Sequence, residues 1–74
     1  MKGYQLTIQQ KESIQGVEYA PYQFFNCVQD INNVWFIFLS EQDIVEIGTQ
    51  WSWILDCPLV EYTPPIPPPF PPTN

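Results

Sequence analysis

From residue 4 to residue 9 apolar and polar side chains alternate, with Tyr4, Leu6 and Ile8 set against Gln5, Thr7 and Gln9. A period of two sends alternate side chains to opposite faces, so the spacing predicts a β-strand with one wet face over residues 3–10. Glu12-Ser13-Ile14-Gln15-Gly16 follows with turn chemistry, Gly16 being free to take a positive φ. A second strand is predicted from Val17. Pro21 has no amide hydrogen for a ladder, so it bends that strand at an edge or bulge before Tyr22-Gln23-Phe24-Phe25 resumes it.

Asp30-Ile31-Asn32-Asn33 lies between apolar runs and carries side chains that bond their own backbone, which predicts a hairpin turn. Val34-Trp35-Phe36-Ile37-Phe38-Leu39 is rich in β-branched and aromatic residues and is too short for a typical helix, so it reads as a strand. Both of its faces are apolar. A domain of this size is expected to cover one face and leave the other for another chain. Ser40 and Asp43 then have the spacing of a reciprocal helix start, and Gly48 can end the helix, giving about two turns over residues 41–47. Trp51, Trp53 and Leu55 alternate with Ser52 and Asp56, which predicts a last strand ending near Pro58, with Leu59-Val60-Glu61-Tyr62 extended beyond it.

Composition changes at residue 64, because seven of the nine prolines fall in the last eleven residues. Proline fixes φ and lacks a donor, so this stretch predicts a polyproline II arm reaching about 30 Å at about 3.1 Å per residue. The expected fold is therefore mainly β, a small antiparallel sheet or meander with one short helix and a polyproline II C-terminal arm. The expected division is a compact β-rich domain over 1–63 and a proline-rich arm over 64–74.

Charge narrows the partners. Lys2 and Lys11 face eight acids for a net charge of −6. Two cations cannot neutralise a row of phosphates or hold an anionic lipid surface, so nucleic-acid binding and membrane-surface docking are not expected. The longest wholly apolar run, residues 34–39, falls far short of the roughly 20 residues a spanning helix needs. No apolar leader segment is visible near Met1, and a protein made and kept in a cytoplasm, or carried inside an assembled particle, is expected.

The chain has no histidine, so neither Cys27 nor Cys57 has an evident base, and a serine nucleophile would depend on the two lysines. Two distant cysteines without a CxxC spacing do not assemble a zinc site. Asp30-x-Asn32 opens like a calcium loop, but Val34 and Trp35 stand where a ligand and a glycine belong. No catalytic residue, cofactor or metal is expected. For the cysteines two readings stand: a single bridge closing a loop of about 30 residues, which would stabilise by roughly 3–4 kcal/mol, or two buried thiols.

Two features point to binding. Aromatic residues make up 16% of the chain, and tryptophan and tyrosine are typical anchors because one end is apolar and the other polar. Trp35 reads as core, whereas Trp51 and Trp53 read equally as core or interface. The second feature is the arm, where Pro64-x-x-Pro67 and Phe70-Pro71-Pro72 have the form of proline-rich ligands without a flanking cation. The candidate partner-binding residues are Trp51, Trp53, Tyr62, Pro64, Pro65, Ile66, Pro67 and Phe70.

Phe25-Asn26, Gln29-Asp30, Trp35, Ser40-Glu41, Trp53 and Pro58-Leu59-x-Glu61-Tyr62-x-Pro64 form a pattern that resembles a group of short, functionally unassigned proteins encoded by bacteriophages and their relatives. The resemblance spans about residues 24–64 and implies a viral source but no reaction. Cys27 and Cys57 stand where that pattern carries proline and an apolar residue, which argues against a shared catalytic thiol.

These readings converge on a small non-enzymatic structural or accessory protein of a virus particle. Exposed aromatics and the arm would attach it to neighbouring copies, as a homo-oligomer, or to a larger capsid or tail protein. The alternative is a phage-encoded acidic inhibitor of a host defence or regulatory protein.

Overall fold

A computed structural model describes the chain over residues 1–66. In chain order the elements are strand β1 (Lys2–Leu6), helix α1 (Ile8–Ile14), β2 (Glu18–Ala20), β3 (Gln23–Phe24), β4 (Val28–Gln29), β5 (Trp35–Ile37), helix α2 (Glu41–Ile47), a 3-10 helix (Ser52–Asp56) and β6 (Leu59–Glu61). The strands make a four-stranded antiparallel sheet ordered β4-β5-β1-β6 and a separate β2–β3 hairpin. The mainly antiparallel architecture stands, with two short α-helices among the described residues where the sequence pattern predicts one.

Helix α1 is the first correction. The predicted strand over 3–10 stops at Leu6, and Ile8, Gln9 and Gln10 are helical. Thr7 is the reason: its hydroxyl accepts from the Gln10 amide at 3.1 Å, and the Gln10 side chain accepts from the Thr7 amide at 2.9 Å. The alternation therefore runs across a helix cap, and Ile8 points to solvent with 65% exposure. Ile14 instead turns inward at the far end of α1, which lies against β1 and β5. Helix α2 covers the predicted residues, with Ser40 and Asp43 exchanging amide bonds at 3.0 and 3.1 Å.

The second correction falls on the predicted strand from Trp51, where Ser52–Asp56 form a 3-10 helix capped by Trp51. At three residues per turn, Trp51, Ile54 and Cys57 share one face, and that face meets the core. The strand follows later: β6, read from sequence only as an extended continuation, pairs with β1 in the register Lys2↔Glu61, Gly3↔Val60 and Tyr4↔Leu59.

Pro21 also lies in a turn and not within a bent strand. Ala20 pairs with Gln23, leaving Pro21 and Tyr22 as the two-residue tip of the β2–β3 hairpin. Tyr22 has φ 65°, and a proline followed by a positive-φ residue is the arrangement of a type II turn. That position favours glycine or asparagine, and a tyrosine there costs about 1 kcal/mol or more. Gly16, at φ 76°, opens the same hairpin, and its amide donates to the Phe25 carbonyl at 3.0 Å.

One face of the sheet carries Tyr4, Leu6, Trp35 and Ile37, and it packs with Ile14, Phe25, Ile47 and Ile54 into the core. The other face carries Gly3, Gln5 and Phe36. A Cβ on Gly3 would lie 2.9 Å from Phe38 Cε1 and 3.1 Å from Phe36 Cδ2, so the two rings close over bare backbone. The chain itself then covers this second face, which the sequence reading offered to another chain. Beyond β6 the Tyr62 ring stands edge-on to Phe36 and Phe38, with centroids 5.4 and 5.0 Å away. Its hydroxyl donates to the Gln29 carbonyl on β4 at 2.9 Å, and the Ile31 amide donates to the Thr63 carbonyl at 2.9 Å. Tyr62 and Thr63 thus strap the sheet from one edge to the other.

Asp30 closes the β4–β5 hairpin. Its buried carboxylate accepts from the amides of Asn32 and Val34, both at 2.9 Å, and Asn33 takes φ 64° beside it. Asp30→Ala leaves two turn amides without their acceptor and is expected to lower the unfolding free energy by about 1–3 kcal/mol, read from the shift of a urea transition.

Candidate functional site

The residues singled out from sequence do not form one site. Trp51 is half-buried, its indole edge-on to Phe25 at 5.2 Å, and it belongs with the core. Trp53 is half-buried on the 3-10 helix and lines a shallow groove with Gln9, Gln10 and Ser13 of α1. Tyr62 lies on the opposite face of the sheet, where it is part of the strap. Pro64, Pro65 and Ile66 are exposed. Pro67 and Phe70 lie outside the described residues, as does most of the stretch predicted to be a polyproline II arm. Trp35, read as core, is half-buried against it, with the Lys11 ammonium 4.2 Å from its ring centroid.

Sequence reasoning missed exposed apolar residues on the helices, where Ile8 and Val45 are 65% and 74% exposed, and also on the strands and at a hairpin tip. Leu59 and Val60 are consecutive residues of the edge strand β6, with Leu59 54% exposed. Tyr22 is 91% exposed at the hairpin tip, and Phe24 beside it on β3 is 55% exposed. For Tyr22 the signal was present as the Pro-Tyr pair between two extended runs. For Leu59 and Val60 it was hidden, because only the pairing of β6 with β1 makes them a sheet edge.

The hairpin is held firmly at its base. Tyr19 packs on Phe25 with centroids 4.5 Å apart, and its hydroxyl donates to Asp43 Oδ1 at 2.9 Å, tying β2 to the start of α2. Burial, then the bond to Asp43, push the Tyr19 phenol up to about 12. Asp43 is held below the ordinary carboxylate value, first by the Ser40 amide and further by Tyr19, against a smaller opposing effect of burial.

The signs differ. A raised phenol favours the fold in full below its ordinary value of 10.0, and that contribution is lost as pH rises from 10.0 through about 12. A lowered carboxyl contributes above its ordinary value of 3.8 and loses that contribution as pH falls through the folded-state value. Asp43→Asn is expected to bring Tyr19 ionisation down in the absorbance of the phenolate while leaving it above 10.0, because burial is the larger cause. The same variant should flatten the acid limb of the stability profile.

Neither thiol is poised for chemistry. Cys27 and Cys57 are free and buried, and burial pushes both above the ordinary thiol value, with Asp56 adding to the effect at Cys57. The structure therefore contains two buried thiols and not the bridge. Among the described residues no group of three or more His, Cys, Asp or Glu side chains is placed to hold a metal ion. No described helix is long and apolar enough to cross a membrane. Comparison of the chain with protein-family models, with curated proteins and with solved structures gives no match.

Proposed function

We propose that this chain is a small non-enzymatic structural or accessory protein of a virus particle, attached to a larger capsid or tail protein or to neighbouring copies. The observation that carries the attachment reading is the placing of exposed apolar side chains on backbone held by the fold: Leu59 and Val60 on an open sheet edge, Tyr22 and Phe24 on a braced hairpin. An edge strand presents unpaired amides and carbonyls to a partner, and an exposed aromatic on a fixed element offers contact area at little entropic cost. Pro64, Pro65 and Ile66 leave the strap exposed, next to Thr63 where it is bonded to Ile31 beyond β4. The viral setting rests on the phage-protein resemblance. Mass spectrometry of purified particles tests it, with the chain expected at a fixed ratio to the major structural proteins; its absence from the particle would overturn the reading.

The alternative, an acidic inhibitor of a host protein, gains one observation. Asp43 and Glu46 of α2 act on the Tyr19 hydroxyl, and Glu18 precedes Tyr19 on β2, which brings acids from two elements to one part of the domain. A basic groove would be attracted to that side of the domain. Affinity purification with the full chain separates the two readings, one stoichiometric host protein favouring inhibition and structural proteins of the particle favouring assembly.

A further inference from the structure

We propose that the Pro21–Tyr22 hairpin tip is an anchor that seats the Tyr22 ring in an apolar pocket rimmed by Lys or Arg on a larger partner protein. The inference rests on the attachment reading and names the contact through which it is made.

Two local rules are broken at one residue. The backbone at Tyr22 takes φ 65°, where a glycine or asparagine would sit without strain, and the ring bought by that conformation is 91% exposed, so the isolated fold gains almost nothing from it. The internal contact at this residue is the Tyr22 amide donating to Glu18 Oε1 at 3.4 Å, which a glycine would make equally, so the ring itself has no compensation within the fold, the mark of a site whose partner lies elsewhere. The tip is also preorganised. The Tyr19 hydroxyl on Asp43, the Tyr19–Phe25 and Phe25–Trp51 ring contacts, and the Phe25 amide donating to the Val17 carbonyl at 2.9 Å fix the hairpin base to the core. A rigid aromatic loses little freedom on docking. Phe24, 55% exposed and paired across the hairpin with Glu18, provides a second apolar contact next to the anchor.

Charge selects the occupant. Glu18 lies on the hairpin itself with a carboxylate oxygen 3.4 Å from the Tyr22 amide, and Asp43 and Glu46 act on Tyr19 at its base, whereas the two side-chain cations are placed elsewhere: Lys11 over Trp35, and Lys2 opposite Glu61. A second copy at a net charge of −6, a nucleic acid or an anionic lipid would meet like charge at the tip. A protein pocket with a basic rim would not.

The test uses the full chain in the cells that make it, with photoreactive benzoylphenylalanine placed at position 22, and separately at Leu59 and Ile8. Irradiation of the position-22 chain is expected to give one adduct, mapped by mass spectrometry to an apolar partner segment flanked by Lys or Arg. Its yield should fall as salt is raised. Excess native chain should abolish it, while Tyr22→Gly competes about tenfold less well or worse, the size of a hot-spot loss. Tyr22→Gly should melt no lower than the native chain, and a marked drop in its urea midpoint would show the ring to be structural and overturn the proposal. An adduct with a second copy, with lipid or nucleic acid, or with an acidic surface would also overturn it. Adducts from position 59 with none from 22 would remove the anchor and leave the attachment reading standing; none from any position would remove both.

Discussion

Phe36→Ala is expected to lower the unfolding free energy by about 3–5 kcal/mol, measured by urea denaturation followed by tryptophan fluorescence. Phe36 is 2% exposed, yet it stands outside the main core on the second face of the sheet. It is the floor of that face. Gly3 leaves room for its ring beside Phe38, Tyr62 stands edge-on above it, and Gln5 and Val28 lie opposite it on the flanking strands. Alanine removes the ring and leaves a gap that the strap cannot fill without breaking its own hydrogen bonds. At roughly 0.05–0.15 kcal/mol per residue, a chain of 74 residues has about 4–11 kcal/mol in total, so the variant sits near the edge of folding. A loss below about 1 kcal/mol would show that the second face is not a packed layer.

The second large effect comes from where the chain is cut. Stopping it after Thr63 is expected to change stability by no more than about 0.5 kcal/mol, since among the described residues the last bond tying the C-terminal segment to the sheet is Ile31 to Thr63. Stopping it after Glu61 removes the Tyr62 ring, its hydroxyl bond to Gln29 and the Thr63 acceptor together. The Tyr62 amide, which donates to the Met1 carbonyl at 2.8 Å, goes with them, and the loss from one half-buried aromatic and three hydrogen bonds is expected to be about 4 kcal/mol. Thermal melts of the two truncations give the comparison. Equal stability for both would mean that the strap is not a structural element.

The parts of the fold that were legible in sequence are those where a side chain bonds its own backbone. Ser40 and Asp43 mark α2, Asp30 marks the β4–β5 turn, and Gly16 marks the positive φ that opens the hairpin. The parts that were not legible share one cause, because alternation over three apolar residues does not separate a strand from a capped helix or a 3-10 turn. Tyr4, Leu6 and Ile8 alternate across the Thr7 cap, although Thr7 and Gln10 carried the same spacing as Ser40 and Asp43. Trp51, Trp53 and Leu55 alternate as a strand would, while the buried set is Ile54 and Cys57 with Trp51 half-buried beside them, at a period of three. The candidate surface was legible in kind and not in place. The aromatic content pointed to binding, but Trp51, Trp53 and Tyr62 are occupied in packing, whereas Tyr22 and Phe24 face outward together with aliphatic residues such as Val45, Ile8 and Leu59. Long-range pairing decides which apolar residues are left over, and no local pattern records it.

The order β4-β5-β1-β6 puts the earliest strand in the interior of the sheet, between partners that follow it by about thirty and nearly sixty positions along the chain. Closing loops of that length must precede any reward from the pairing, so folding is expected to be slow for a molecule of this size. On the ribosome, β1 would emerge with both edges bare and keep one open until Leu59–Glu61 had cleared the exit tunnel. Until then β6 cannot pair with β1 nor Tyr62 cover Phe36, and the nascent segment is open to mispairing with a neighbouring nascent chain.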